Sequence, residues 1–169
     1  MNNAGGFNHG QILQLIRCNR PTIYNELEQI TEIKASKECF NREQTHEFIT
    51  RMGPMSGYAV AVVCEPSNPE LKNRNTNAWR EFWEYIGGAP GAKISAVQDI
   101  DKPAIVGSFR GEVNSNISRT VGCPGKITDG AILNVHEMTN VGFKAIARRM
   151  CVDDGHNWLV RWNCPVEVF

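Results

Sequence analysis

Residues 121–134 read VGCPGKITDGAILN, and this stretch decides the fold class of the chain. Its centre, residues 126–128, is typical of a short strand, and that strand runs into an acid and a glycine, Asp129-Gly130. Residues 135–141 then predict a helix. A strand that leads directly into a helix is the unit of α/β folds, and ligands bind at the carboxyl ends of strands in open α/β sheets. Asp129-Gly130 therefore marks a candidate ligand site, although an Asp-Gly pair is also a common turn.

The same alternation continues on both sides of this stretch. Residues 58–64 read YAVAVVC, a β-branched and almost wholly apolar run that indicates a strand buried on both faces. Further strands are predicted at residues 93–97, 104–107, 144–147, 158–162 and 166–169, and further helices at residues 78–86 and 112–121. Loops are predicted at residues 52–57 and 66–77, with a polar loop or a short helix at residues 42–51. Strands that alternate with helices predict an α/β fold with parallel strand pairing.

The predicted helix over residues 78–86 carries an aromatic stripe. Its large apolar side chains recur at the spacing of one helix face: Trp79, Phe82, Trp83 and Ile86. This pattern favours burial in the core or at a subunit interface over stacking on a cofactor.

Two helices are predicted near the start of the chain. A helix is predicted at residues 11–18, and a second begins at Pro21, a residue that suits the first turn of a helix. The apolar side chains of the second helix share one face: Ile23, Leu27 and Ile30. We therefore expect an N-terminal helical segment packed on the core, residues 1–51, and an α/β domain, residues 52–169.

A second candidate site lies at residues 107–114, GSFRGEVN, where a glycine-bearing loop joins a predicted strand to a predicted helix. Such a junction presents unpaired backbone N–H groups and the positive end of a helix dipole, which suits a carboxylate or a phosphate. The alternative interpretation is a tight strand-to-helix turn that binds nothing.

Composition narrows the classes of function. The chain has 169 residues, with 18 Lys plus Arg and 18 Asp plus Glu, so its net charge is zero. A neutral chain is a poor candidate for direct nucleic-acid binding. No apolar run approaches the ~20 residues that cross a bilayer, and the N-terminus lacks the basic and apolar regions of a signal peptide. We expect a cytoplasmic protein without a membrane partner.

The six cysteines form no Cys-x-x-Cys pair, and without an export signal we expect them to be reduced thiols. Cys151, His156 and Cys164 come nearest to a metal-binding group, but their spacing matches no zinc pattern.

Several blocks in one order resemble the RraA-like family. They are Gly111-Glu112 before a helix, residues 121–134, and residues 141–147, which read VGFKAIA. Residues 55–62 resemble the family's first strand and residues 165–168 a late one. The family includes regulators of ribonuclease E activity and metal-dependent 4-hydroxy-4-methyl-2-oxoglutarate/4-carboxy-4-hydroxy-2-oxoadipate aldolases. The resemblance implies an α/β fold, a swivelling β/β/α sandwich of the phosphohistidine-domain type, assembled as a homotrimer or hexamer with its active site between subunits.

The resemblance also implies roles for particular residues. The substrate loop of the family would be Gly111, Glu112, Val113 and Asn114, in which Glu112 orients metal-bound water. The Asp-Gly of the family would be Asp129-Gly130, with Asp129 at the substrate. The family then carries an Arg-Asp pair, in which the Asp binds Mg²⁺ or Mn²⁺ and the Arg stabilises the keto oxygen as it becomes an enolate. Leu133 and Asn134 stand at those two catalytic positions.

This departure removes the charges on which a 2-oxo-acid lyase depends. Leu133 offers no charge to an enolate, and Asn134 offers a cation only a neutral carbonyl oxygen, which makes it a weak candidate metal ligand. Loss of even one well-placed donor costs about 10²–10³ in rate. Asn134 is better interpreted as a helix N-cap, with Glu137 three residues later to complete a capping box.

Few other residues offer a replacement. Arg110 precedes the loop glycine and is a candidate substitute cation. His156, in the polar stretch of residues 153–156, is a candidate general base, and a solvated loop is the favoured interpretation of that stretch.

The sequence thus predicts an RraA-like protein with a divergent site for a small 2-oxo acid or other carboxylate, weak or inactive as an aldolase, that acts in binding or regulation. The alternative is a Mg²⁺- or Mn²⁺-dependent lyase that cleaves 2-oxo acids to pyruvate or decarboxylates oxaloacetate. A ribonuclease-type protein partner follows from family analogy alone.

Some family members carry the label demethylmenaquinone methyltransferase, which this sequence does not support. The strand at residues 58–64 runs into EPSNP, without the glycine-rich loop that a nucleotide-derived cofactor requires, and we expect no such cofactor. Relatives continue beyond the position of Phe169, so we expect the family's C-terminal strands to be lacking.

Overall fold

The structure is a computed structural model that describes residues 6–32, 41–109 and 111–169. Its strands all join one six-stranded sheet: β1 (His46–Glu47), β2 (Tyr58–Cys64), β3 (Lys93–Asp99), β4 (Gly125–Ile132), β5 (Lys144–Met150) and β6 (Leu159–Trp162). The strand order is β1-β5-β4-β3-β2-β6. The four inner strands are parallel, and the two short outer strands pair antiparallel to their neighbours.

Helices connect the inner strands, as parallel pairing requires. All the described helices are, in chain order, α1 (His9–Arg17), α2 (Arg20–Ile30), α3 (Leu71–Arg74), α4 (Ala78–Gly88), α5 (Glu112–Thr120) and α6 (Val135–Asn140), with a 3₁₀ turn at Thr50–Met52. Helices α3 and α4 lie between β2 and β3, α5 between β3 and β4, and α6 between β4 and β5. The predicted α/β fold class is confirmed.

Helix α4 covers one part of the sheet with the predicted aromatic stripe. Phe82 and Ile86 are fully buried against Val62 of β2 and Val97 of β3, and Trp79 and Trp83 pack at the edge of this cluster. Trp79 also stacks on Phe109, with ring centroids 5.4 Å apart. The stripe is therefore core, as predicted, and it packs against Phe109 of the glycine-bearing loop.

Helix α6 covers the neighbouring part of the sheet. Its one fully buried side chain, Met138, packs with Ile132 of β4, with Ala145 and Ala147 of β5, and with Ile49 from the segment before the 3₁₀ turn. The segment before β2 thus reaches the carboxyl ends of β4 and β5.

Several predicted boundaries are wrong. Strand β4 extends through Asp129-Gly130 to Ile132, and among the described residues 104–107 and 166–169 form no strand. Next to residues 104–107, the described chain forms one isolated parallel bridge, between Ser108 and Ala131. The predicted loops also hold short elements, since β1 and the 3₁₀ turn fall in residues 42–51 and α3 in residues 66–77.

Five cysteines lie in the described part of the chain, and all five are free thiols, as expected: Cys18, Cys64, Cys123, Cys151 and Cys164. Cys39 lies outside the described residues. No helix in the described ranges has the length and apolarity to cross a membrane.

Candidate functional site

The glycine-bearing loop leads into α5 as the sequence predicts. Gly111 is the N-cap residue with an extended backbone, and its carbonyl oxygen accepts hydrogen bonds from the backbone N–H of Ser115 (3.1 Å) and from its hydroxyl (2.8 Å). Glu112 and Val113 follow on the exposed first turn, and Asn114 is half-buried. The first N–H groups of a helix have no partner within the helix, so this turn presents donors and a positive dipole end.

Gly111 lies directly against the Leu133-Asn134 pair. A Cβ at Gly111 would come within 2.6 Å of Asn134 Oδ1 and 2.8 Å of Leu133 Cδ1. The bridge between Ser108 and Ala131 explains this proximity, because it aligns the loop with the end of β4. The structure therefore brings together the two segments that sequence reasoning had connected only through the resemblance.

Asn134 begins α6 in a left-handed conformation, with φ 54° and ψ 41°. Its carbonyl oxygen accepts the first helical hydrogen bond, from the N–H of Met138 at 2.8 Å, so the N-cap position is confirmed. Within the described chain its side chain makes no capping bond, and the predicted capping box with Glu137 is wrong. The amide oxygen of Asn134 lies instead against Gly111.

A cavity of about 840 Å³ opens on the other side of this pair. Its walls come from residues 48–51, from α6 and from residues 150–152 after β5, and they include Leu133, Asn134, His136 and Glu137. They also include Arg51, which sequence reasoning missed. Arg51 is exposed and makes no ion pair with a described residue, so the cavity has one free cation in its wall.

Asp129 lies inside β4 rather than at its end, at a shift of register between Thr128 and Ala131. Its side chain is fully buried, accepts a hydrogen bond from the N–H of Asp99 at 2.7 Å, and pairs with the Lys102 ammonium at 2.6 Å. The Lys102 ammonium thus compensates the charge of the buried carboxylate, while Asp129 Oδ2 makes no hydrogen bond of good geometry to a described residue. These contacts connect β4 to the chain that leads from β3 towards Gly111, and a substrate contact for Asp129 stays a prediction.

Asp99, at the end of β3, shares this buried cluster. Burial, together with the nearby carboxylates of Asp101 and Asp129, raises the pKa of its carboxyl group from 3.8 to about 6, against the opposing effects of the Asp101 N–H and the Lys102 ammonium. Gly130 is packed so closely on it that a Cβ would lie 2.7 Å from Asp99 Oδ2. Protonation of Asp99 therefore reduces the repulsion between its carboxyl group and the carboxylates of Asp101 and Asp129.

Residues 153–156 pack elsewhere, in contact with the start of the glycine-bearing loop. The N–H of His156 donates to the carbonyl of Pro66 at 2.8 Å, and Asp154 lies against Gly107. None of these residues lines the cavity beside the Leu133-Asn134 pair. Arg110, the other candidate replacement, lies outside the described residues.

Gly107→Ala should destabilise the chain by about 1–3 kcal/mol, since small-to-large changes in a tightly packed interior cost that much. A Cβ at buried Gly107 would lie 2.6 Å from the backbone carbonyl oxygen of Asp154. Urea unfolding measures the loss. The matched control is Gly88→Ala, at the exposed end of α4, where a Cβ would meet nothing within 4 Å. Equal stability of the two variants would show that residues 153–155 do not pack on Gly107.

The donor atoms at this site do not fit a divalent metal ion. Asn134 contributes one neutral oxygen, and nowhere in the described ranges do three or more His, Cys, Asp or Glu side chains form a group that could hold a metal. Hard cations such as Mg²⁺ select charged oxygen ligands. The residues present therefore disagree with the metal that the resemblance implies.

The comparison with protein families finds a match over most of the chain. The model of the RraA-like family, described as Aldolase/RraA, matches residues 23–169. The chain belongs to the RraA-like family. This match begins within α2 and includes more than half of the predicted N-terminal segment. The comparison with curated protein sequences finds no match.

Solved structures share the fold of this RraA-like chain at low identity. One of them, from a structure described as novel cellulases from microbes associated with the gut ecosystem, has a TM-score of 0.73 at 10% identity. The match covers 99% of this chain and 71% of that structure's chain. An uncharacterized protein from Pseudomonas syringae pv. tomato has a TM-score of 0.65 at 12% identity, and the match covers 96% of this chain and 70% of that protein's chain. Streptomyces coelicolor RraAS2, an unusual member of the RNase ES inhibitor RraA protein family, has a TM-score of 0.61 at 15% identity, with coverages of 95% and 74%. At these identities the likeness shows the fold alone.

Proposed function

We propose that this RraA-like protein binds a small carboxylate beside Gly111 and the Leu133-Asn134 pair, and acts in binding or regulation with little or no aldolase activity. One observation carries the proposal: Leu133 and Asn134, both uncharged, lie directly against Gly111 at the start of α5. The register of the resemblance is thus supported in space, and the two groups that would carry charge in an aldolase carry none here.

The chemistry follows from this loss of charge. Cleavage of a 2-oxo acid passes through an enolate, whose developing negative charge needs fixed positive charge nearby. Leu133 supplies an apolar surface, and Asn134 supplies an uncharged amide whose oxygen lies against Gly111. A ligand at this site meets donors that bind a carboxylate in its ground state, and the Leu133-Asn134 pair adds nothing that stabilises an enolate further. Binding of that kind does not accelerate the chemical step.

Two features support a carboxylate as the ligand. The first turn of α5 presents unpaired N–H groups, and Arg51 adds a guanidinium in the wall of the adjoining cavity. Arg51 also supports the alternative function, a working lyase with a relocated cation. That alternative requires turnover that responds to removal of metal, and the donor set present argues against it.

Assembly and partners remain proposals. A homotrimer or hexamer is the assembly that the family suggests, and a ribonuclease-type partner is suggested by the inhibitor family to which Streptomyces coelicolor RraAS2 belongs.

Calorimetric titration with Mn²⁺ tests the proposal without relying on turnover. Wild type should bind Mn²⁺ weakly, and Asn134→Asp should bind about tenfold tighter or more, because a carboxylate replaces a neutral oxygen. Aspartate tolerates the left-handed backbone of residue 134 as asparagine does. The control Asn25→Asp adds the same charge on the exposed surface of α2 and should leave the affinity unchanged. Tight binding by wild type, lost on chelation, would contradict the proposal.

A further inference from the structure

A second cavity, of about 450 Å³, lies on the opposite face of the sheet from α4 and α6. Side chains alternate along a strand, so Ile94 and Ile146 face away from the core residues Val97 and Ala145. Residues of α1 and α2, among them Leu15 and Ile23, form its outer wall. It shares no lining residue with the cavity at Leu133-Asn134. Its volume falls in the range of small-molecule sites, roughly 300–1,000 Å³.

The floor of this second cavity is apolar and continuous across three strands. Ile94, Ile127 and Ile146 come from β3, β4 and β5, and Ile127 and Ile146 are paired directly in the sheet. All three isoleucines are only half-buried in the described chain. Burying the apolar surface that they leave open would contribute about 25 cal/mol for each Å² covered.

One end of the second cavity carries an excess positive charge. Arg20 of α2 and Lys144 of β5 both line it, and both pair with the same carboxylate, Glu47 of β1; the distance from Arg20 Nη2 to Glu47 Oε2 is 2.8 Å. The hydrogen bond from Lys144 and the ammonium charge hold the pKa of Glu47 below its usual value, so Glu47 stays ionised. Among the described side chains at this end, two cations against one carboxylate leave one unit of positive charge. The Lys144 side chain is only 3% exposed and is poorly screened by solvent, whereas the Arg20 side chain is 74% exposed.

We propose that the second cavity binds a monocarboxylate with an apolar tail. The tail covers the three isoleucines, and the carboxylate lies at Arg20 and Lys144, where it completes the neutralisation that Glu47 begins. A monoanion matches the single unit of excess charge, and a long apolar tail matches the floor. This site is separate from the one under the proposed function, and neither proposal depends on the other.

Titration of the wild-type chain with octanoate, 1-octanol and octylamine tests the proposal by calorimetry, because the three share a tail and differ in charge. Octanoate should bind at one saturable site and weaken as salt is added. Octanol should bind about tenfold more weakly than octanoate, because it lacks the hydrogen bond between a charged carboxylate and a cation. Octylamine should not bind. Equal affinity for octanoate and octanol, or no saturable binding of octanoate, would overturn the proposal.

Variants locate the binding. Arg20→Gln should weaken octanoate about tenfold and leave octanol unchanged. The matched control, Arg80→Gln, removes an exposed arginine that pairs with Glu84 on α4, and should change neither affinity. Ile94→Phe should fill the cavity and block both ligands while the circular dichroism spectrum stays that of wild type. Unchanged octanoate affinity in Ile94→Phe would place the binding elsewhere. Self-association that covers the cavity, seen by sedimentation together with absent octanoate binding, would also contradict the proposal.

Discussion

The double variant Leu133→Arg/Asn134→Asp should decarboxylate oxaloacetate with Mg²⁺ at least about 10²-fold faster than wild type. It restores a cation for the developing enolate and a carboxylate for the metal at the positions that the family resemblance assigns to them. Both restored side chains would stand beside Gly111, at the positively polarised start of α5. A pyruvate-detecting assay measures the gain, and EDTA should abolish it.

The local structure accommodates both changes. Leu133 is half-buried in the wall of a cavity of about 840 Å³, so a longer side chain can extend into open space. Asn134 has a left-handed backbone, which aspartate tolerates better than most residues. The single variants serve as controls and should each stay well below the double variant, because metal and guanidinium act together on one oxygen. A stably folded double variant that binds Mn²⁺ yet stays inactive would contradict the assignment of these two positions.

The contribution of Asp99 to stability should fall as the pH rises from about 4 to above 6, because its carboxyl group is buried. The pKa of Asp99 is raised to about 6 from 3.8, so between these values the folded chain holds a proton that the unfolded chain has released. Its contribution to stability is therefore complete below pH 3.8 and lost as the pH passes about 6. At 1.36 kcal/mol for each pKa unit, the whole change is on the order of 3 kcal/mol.

Asp99→Asn isolates this effect. The amide keeps an oxygen to accept the hydrogen bond from the Asp101 N–H (2.9 Å) but cannot ionise. The variant should gain stability over wild type above pH 6, by on the order of 3 kcal/mol, and lose that advantage near pH 4. Urea unfolding across this pH range measures the difference. Glu26→Gln on the exposed surface of α2 is the control and should follow wild type. Parallel pH profiles for Asp99→Asn and wild type would contradict the raised pKa.

The sequence predicted those parts of the fold whose patterns are local. Strand β2 has the bounds of its apolar run, Tyr58–Cys64, because a strand buried on both faces has a continuous signal. The aromatic stripe of α4 is core for the same reason, since its spacing already describes one buried face. The junction into α5 was predictable from its glycine and from the helical pattern after it.

Asp129-Gly130 shows where local patterns fail. An acid and a glycine in succession are typical of a turn, yet here β4 continues through them with a shift of register. Lys102 makes this possible, because its ammonium neutralises the buried Asp129 from a distant part of the chain. A sequence pattern cannot reveal that long-range ion pair.

The positions of Arg51 and Asn134 in the site also depend on long-range contacts that the sequence pattern does not reveal. Arg51 belongs to a segment that the sequence predicted only as a polar loop or short helix, and the tertiary fold carries it to the cavity beside Asn134. Asn134 was predicted as a cap because asparagine caps helices well, but its left-handed backbone sends the amide oxygen to Gly111 instead. That conformation depends on the packing of two loops and has no signature in residue type alone.

The most direct test of the central claim is oxaloacetate decarboxylation by wild type, measured with Mg²⁺ and again with EDTA. We expect both rates to equal the rate without protein, because the Leu133-Asn134 pair offers neither a cation nor a charged metal ligand to the enolate. A wild-type rate that exceeds this background with Mg²⁺ and collapses with EDTA would contradict the account and show that the chain is a working metal-dependent lyase.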